Sequence, residues 1–379
     1  MIWRTLYFQS CLITWWIAAI TAASAATRLD SSPSQAISVA SDYQFSSDGN
    51  WLVIRGAAPN DGPAELYCLA ASGGLPTRLS ADLPLDRSIT SWQLSPTSSH
   101  VIYIADQETL QFNEVFAVPM PGGPFYKVSD GLVDTGSILS EFVGTTSSHV
   151  AYVAAKVTGP FTGSIYELFS VPATGGESIR LSGSMVAGGD VQQLFVRRDG
   201  GHLLYLADQE VDEKLELYSV AASGDSAVKL NPAISDVSDV LPDGIAFSAD
   251  GSRVIFQIDR RPEKRIELFS VPTSGGSAVP LHPALPAGGN ITPGSQRFSP
   301  DGTRVLYHAD QNTDEIFEVF SVPAGGGASV RLNAPLVASG DVRAAGLQFS
   351  PNGAHVLYLA DQIIDEKVEL FGVPSAGTG

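Results

Sequence analysis

Short apolar runs alternate with clusters of Gly, Pro, Asp, Asn and Ser along nearly the whole chain. Within residues 298–333, Val305, Leu306, Tyr307 and Ala309 form one run, residues 316–322 a second and residues 329–332 a third. Runs this short, rich in β-branched and aromatic residues and bounded by turn formers, predict strands rather than helices. The first turn has its own chemistry: Pro300 presets φ, Asp301 tolerates a turn conformation, and Gly302 accepts φ > 0 at no steric cost. The approach to this turn supplies one more strand, so the unit holds four, labelled a to d in chain order.

The unit recurs. Counterparts of Val305 are Leu52, Val101, Val150, Leu203, Val254 and Val356, a period of 49 to 53 residues over seven copies. Strand c is the most regular: Glu65, Glu114, Glu167, Glu216, Glu267, Glu318 and Glu369 share one register, each followed two residues later by Tyr or Phe. Strands apolar on both faces, four to a unit, suit sheets stacked against neighbours on both sides, the arrangement of a β-propeller. The expected fold is therefore all-β, a single seven-bladed propeller of four-stranded antiparallel blades near residues 36–80, 85–129, 136–182, 189–231, 238–282, 289–333 and 340–374. The last copy stops before any strand d, while residues 27–30, Thr-Arg-Leu-Asp, have the ending of Arg78-Leu79, Arg180-Leu181 and Arg331-Leu332. This N-terminal strand is expected to close the seventh blade and remove an exposed sheet edge.

Phe-Ser-Pro-Asp-Gly at 298–302 with Val305 and Tyr307, Asp310 in the next loop, then Glu318-Val-Phe-Ser-Val before a Gly-rich turn, resemble the TolB-type propeller repeat. The resemblance covers about residues 26–373 and implies a protein partner at the cell envelope. The turn motif is worn at 95–99, 144–148 and 197–201, which read SPTSS, GTTSS and RRDGG.

With 44% hydrophobic residues, 37 Gly and 24 Pro in 379, the composition fits a globular chain with many turns. Arg4 precedes an apolar segment at 12–20, and Ala23-Ser24-Ala25 offers the small residues of a cleavage site. Residues 1–26 accordingly read as a secretory signal and residues 27–379 as the propeller, secreted or periplasmic, with no membrane span after cleavage. Cys11 lies in that signal, and Cys68 occupies a strand c slot that the other copies fill with Ala, Ser or Gly, the setting of a buried inert thiol. A balance of 22 basic to 40 acidic residues, net −18, would repel phosphate backbones, so nucleic acid is excluded as a partner.

No nucleophile elbow, zinc spacing, P-loop or dinucleotide fingerprint occurs, and no catalytic residue or cofactor is assigned. His100, His149, His202 and His355 share one repeat position just before strand b, spread around the ring as surface residues. Arg78, Lys127, Arg180, Lys229 and Arg331 on strand d fall near the repeated Glu, predicting cross-strand ion pairs. Two acidic sets lie on one face, where the b–c and d–a loops emerge. The first is Asp208, Asp310 and Asp361 of the D-Q-x-x-D-E loops. Oxygen-rich loops of this kind hold calcium, and the first Asp of such a loop equally caps its own hairpin. The second is Asp239, Asn290 and Asp341, eight residues before the aromatic of strand a, with Asp86 and Asp190 joining them after small shifts in loop length. Such a ring at the channel mouth would attract a cation or a basic peptide. The expected role is a protein-binding or ligand-binding scaffold. The alternative is a propeller-type enzyme, such as a polysaccharide lyase, with its site in the central channel.

Overall fold

The computed structural model describes residues 38–57, 62–129, 138–146, 148–157, 164–197 and 201–377. Every regular element among them is a strand. Each repeat folds into one antiparallel sheet with its strands in chain order, seven sheets among the described residues. Blade 2 shows the pattern: a at Ile89–Leu94, b at His100–Ala105, c at Glu114–Pro119 and d at Tyr126–Lys127.

The turn chemistry appears as expected. Ser299 Oγ donates to Asp301 Oδ1 at 2.6 Å, Thr303 N–H donates to the same oxygen at 3.1 Å, and Gly302 takes φ 72°. Where the motif is worn, Ser98 has to adopt φ 53° in place of glycine.

Strand a departs from regularity in blades 5 and 6. In blade 5 it is split into Asp239–Val240 and Ala246–Phe247, and in blade 6 it shortens to Arg297–Phe298 with an isolated bridge at Ile291. Both copies carry a proline there, Pro242 and Pro293, and proline cannot donate to a ladder.

Alternation on strand b decides where the core lies. Val101 and Tyr103 face the preceding sheet while Ile102 and Ile104 face the next, and all four are buried. The apolar clusters thus sit between consecutive sheets, linking blade 1 to 2 and so on to blade 7. Aromatic pairs from strands b and c stack within them, Tyr103 on Phe116 at 5.3 Å and Tyr307 on Phe320 at 5.6 Å. Each fully buried ring contributes about 2–3 kcal/mol of transfer free energy. Cys68 is buried in the same layer, and burial pushes its thiol up to about 11, which keeps it protonated and inert.

The predicted ion pairs form. Arg180, Lys229 and Arg331 each approach the Glu of their own blade at 2.8 Å, Lys127 at 2.5 Å and Arg78 at 3.6 Å. The basic residue pairs with the aromatic two positions past the Glu, Phe320 with Arg331 for example, and reaches back diagonally. Blade 5 has Pro280 at that position, and Arg260 and Arg265 both reach Glu267 at 2.9 Å instead.

Blade 7 shows three strands among the described residues, Val342–Phe349, His355–Ala360 and Glu369–Pro374. The secretory signal expected at 1–26 and the closing strand expected at 27–30 lie outside the described residues.

Candidate functional site

The b–c loops are built on a buried carboxylate. Asp106, Asp208, Asp310 and Asp361 follow strand b directly and are 3–7% exposed. Asp208 Oδ1 accepts from the backbone N–H of Asp190 at 2.6 Å, and Oδ2 accepts from that of Glu213 at 3.0 Å. Asp310 accepts from Asn290 and, at 3.1 Å, from Glu315, while Asp106 accepts from Ser88 at 2.7 Å and Gln111 at 3.2 Å. Asp361 accepts from Asp341 at 2.6 Å, and that bond holds its carboxyl below the usual carboxylate range. The far amide belongs to a residue in the left-handed region: Gln111, Glu213, Glu315 and Glu366 have φ between 61° and 65°. The carboxylate therefore pins a strained loop to the start of strand a.

The glutamine after each of these aspartates has a partner that sequence reading did not single out. Tyr103, Tyr205, Tyr307 and Tyr358 donate their hydroxyls to Gln107, Gln209, Gln311 and Gln362 at 2.7–3.0 Å. Blade 5 changes both members together: Phe256 has no hydroxyl, and Arg260 stands in the glutamine's place and turns to Glu267. This covariation within one chain was the available signal for the pairing.

The second acidic set joins neighbouring blades. Asp190 Oδ1 accepts from Tyr166 N–H at 2.6 Å, Asp239 from Leu215 at 3.0 Å, Asn290 from Ile266 at 3.0 Å and Asp341 from Phe317 at 3.1 Å. Each donor lies at the head of strand c in the preceding blade, so each side chain is a clamp between sheets. An amide oxygen does this as well as a carboxylate, which accounts for asparagine at 290. Burial pushes Asp190 above the usual range, with Asp208 and Asp212 adding repulsion. Asp86 does not share the register: Ser88 donates to Asp106 as Asp190 does to Asp208, while Asp86 is 63% exposed beside Arg87. Loop length alone could not place it.

Among the described residues no three His, Cys, Asp or Glu side chains gather as a metal ion would need. His308 is buried, stacked on Phe317 at 5.1 Å. Its Nε2 donates to the Val342 carbonyl at 2.8 Å and its Nδ1 accepts from Thr292 Oγ1 at 2.7 Å, an arrangement that burial keeps neutral. On the outer rim an open cavity of about 730 Å³ lies between Phe125, Tyr126, Lys127 and the Gly175-Gly176 turn, but Lys127 is engaged by Glu108 and Glu114.

What remains exposed on the loop face is mixed in character. Leu110, Phe112, Val211, Ile316, Ile363 and Ile364 are 37–60% exposed at the loop tips, interleaved with exposed Glu108, Glu210, Asp212, Asp314 and Asp365.

No family model matches the chain, and no curated protein matches it in sequence. Solved structures do. Dipeptidyl peptidase 4 of Porphyromonas gingivalis superposes with a TM-score of 0.55 at 12% identity, covering 84% of this chain and 48% of the peptidase. This chain thus corresponds to about half the length of that enzyme. Oligogalacturonate lyase of Vibrio parahaemolyticus gives 0.41 at 14% identity over 92% of this chain and 93% of the lyase, and a putative TolB of Agrobacterium tumefaciens 0.33 at 12% over 65% and 80%. At these identities the first likeness is one of fold alone. Among the described residues no helix is long and apolar enough to cross a membrane. Among the described residues the chain is all-β, with antiparallel sheets of propeller type, and similar in fold to the part of that peptidase that it covers.

Proposed function

We propose that this chain is a secreted or periplasmic seven-bladed propeller of TolB-like type that binds a partner protein through its b–c loop face. The carrying observation is the division of labour in those loops. The buried aspartates spend their oxygens on backbone amides and hold the loop rigid, while the tips present apolar side chains among carboxylates. A preorganised backbone lowers the ordering cost of association, and apolar side chains ringed by charge suit a partner offering apolar and basic residues. The excess of acid over base supports the same reading and disfavours nucleic acid. A lyase in the channel is the competing function. His308 gives it no support, since both ring nitrogens are committed to structural bonds.

Affinity capture from the source envelope tests the reading. A Val211→Asp, Ile316→Asp double variant should lose the partner retained by the intact chain and by an Ile179→Asp, Val228→Asp control on the outer strands, with all three equally folded by circular dichroism. Equal retention by both variants would remove the loop face from the interaction.

A further inference from the structure

Blade 5 breaks the charge pattern of the loop face. Its b–c segment at 259–267 holds four bases and three acids, for a net +1. The equal spans 106–114 and 310–318 hold three and four acids with no base, while 208–216 and 361–369 hold five and four acids with one lysine each, for nets of −3, −4, −4 and −3 in that order.

The segment also folds in its own way. Strands b and c extend to Arg253–Arg260 and Arg265–Pro272 and leave four residues to join them, where blade 4 leaves eight between Ala207 and Glu216. Arg260 stands directly opposite Arg265, a like-charge pairing that destabilises a sheet, and the one carboxylate of Glu267 holds both at 2.9 Å. Arg261 is 47% exposed and leans on Asp239 and Asp259. Lys264 is exposed and has no ion pair or hydrogen bond among the described residues. A hairpin that gathers cations against its own stability calls for a reason outside the blade.

The place of Lys264 in its loop supplies that reason. It is the left-handed residue, φ 54°, in register with Gln111, Glu213, Glu315 and Glu366 at 65°, 62°, 63° and 61°. All five are exposed. A side chain is strained in that region whatever its charge, so the backbone does not select lysine over glutamate. One tip geometry therefore presents glutamates on blades 4, 6 and 7 and a single cation on blade 5 among them.

We infer that the blade 5 hairpin is the register key of the loop face: Lys264, with Arg261 beside it, receives an acidic side chain of the partner protein, while basic and apolar side chains of the same partner meet the tips of blades 4, 6 and 7. This rests on the loop-face reading above and adds to it the charge pattern that the partner carries. Repeated blades offer a partner near-equivalent rotational settings, and one tip of opposite sign separates them, because any other setting brings like charges together. A uniformly basic surface is repelled at Lys264 and a uniformly acidic one at Glu213, Glu315 and Glu366, so the occupant is a surface of both signs.

A labelled tetra-aspartate peptide probes the hairpin on the full chain. A carbodiimide joins a peptide carboxyl to a lysine Nζ as an amide and takes up the water lost, becoming a urea, and mass spectrometry maps the lysine joined. Lys367, 57% exposed beside Glu366, is the internal comparison. Lys264 should be joined about tenfold more than Lys367 at low salt, with the ratio falling toward one at high salt. Equal joining of the two, or Lys264 joined in preference to Glu213 or Glu315 of its own face or to a carboxylate of a second copy, would overturn the assignment. Lys264→Glu installs the residue that neighbouring tips carry at the same φ, so its melting temperature should match that of the parent, and it should slow association of the partner captured by the intact chain about tenfold. Loss of that partner in Val211→Asp, Ile316→Asp with unchanged association in Lys264→Glu would keep the loop face and remove the key. Retention in both would remove the key together with the face.

Discussion

Replacing Asp310 separates a loop-holding carboxylate from a surface charge. Its two oxygens accept the N–H groups of Asn290 and Glu315, and the side chain is 3% exposed. In Asp310→Ala both donors lose their acceptor. The Asn290 amide lies in a half-buried setting and forfeits about 1–3 kcal/mol, while that of Glu315 sits beside an exposed side chain, recovers water and forfeits about 1 kcal/mol. The expected loss is therefore about 2–4 kcal/mol. Asp310→Asn retains one acceptor and sets an NH₂ group against the other donor, for a loss of about 1–2 kcal/mol. Urea unfolding of the three chains measures the order, with hydrogen exchange at Asn290 and Glu315 locating the damage in the loop. Because Glu315 is held at φ 63°, its amide should become the faster exchanger. Losses under about 0.5 kcal/mol in both variants, in the range of an ordinary surface substitution, would refute the reasoning.

Glu318→Ala and Arg331→Ala should be non-additive by about 0.2–1 kcal/mol in a double-mutant cycle, and a coupling of zero would show that the pair has no energetic content. Tyr307→Phe should cost about 1 kcal/mol, because Gln311 loses the hydroxyl that it accepts at 2.7 Å, whereas Phe256→Tyr in blade 5, where Arg260 replaces the glutamine, should gain nothing. The seryl hydroxyls of Ser46, Ser248 and Ser299 hold Asp48, Asp250 and Asp301 below the ordinary carboxylate range, Asp250 at about 2. Their folded values lie below the unfolded one of about 3.9, so their contribution is complete above that pH and disappears as pH falls toward about 2. Ser248→Ala should accordingly lower the melting temperature more at pH 6 than at pH 2, the loss of the Arg253 N–H bond to Ser248 Oγ being common to both, and an equal shift at both would exclude the linkage. Titration calorimetry with calcium should show no saturable heat from the loops, since the aspartate oxygens are already taken by amides; heat abolished by Asp310→Asn would reverse that view.

The blades were legible in the sequence because a repeat states its own period. Each strand c must bury alternate residues on both faces, so the Glu and the aromatic two positions on recur without exception, and the ion pairs follow from register alone. Turn chemistry was equally local, as the Ser299, Asp301 and Gly302 bonds show. Only the tertiary structure decided what the acidic residues do. A carboxylate that binds a cation and one that accepts a backbone amide look alike in a sequence, and the difference lies in whether an N–H from another segment is aimed at it. For Asp190, Asp239 and Asp341 that N–H comes from the preceding blade, 24 residues earlier in the chain. Asp86 shows the same limit from the other side, since its distance from the strand matched approximately while its register did not. The exposure of Leu370 was likewise invisible in a sequence that places Leu or Val after the repeated Glu of every strand c, buried in the other six copies, because burial depends on what a neighbouring sheet covers and not on the residue itself.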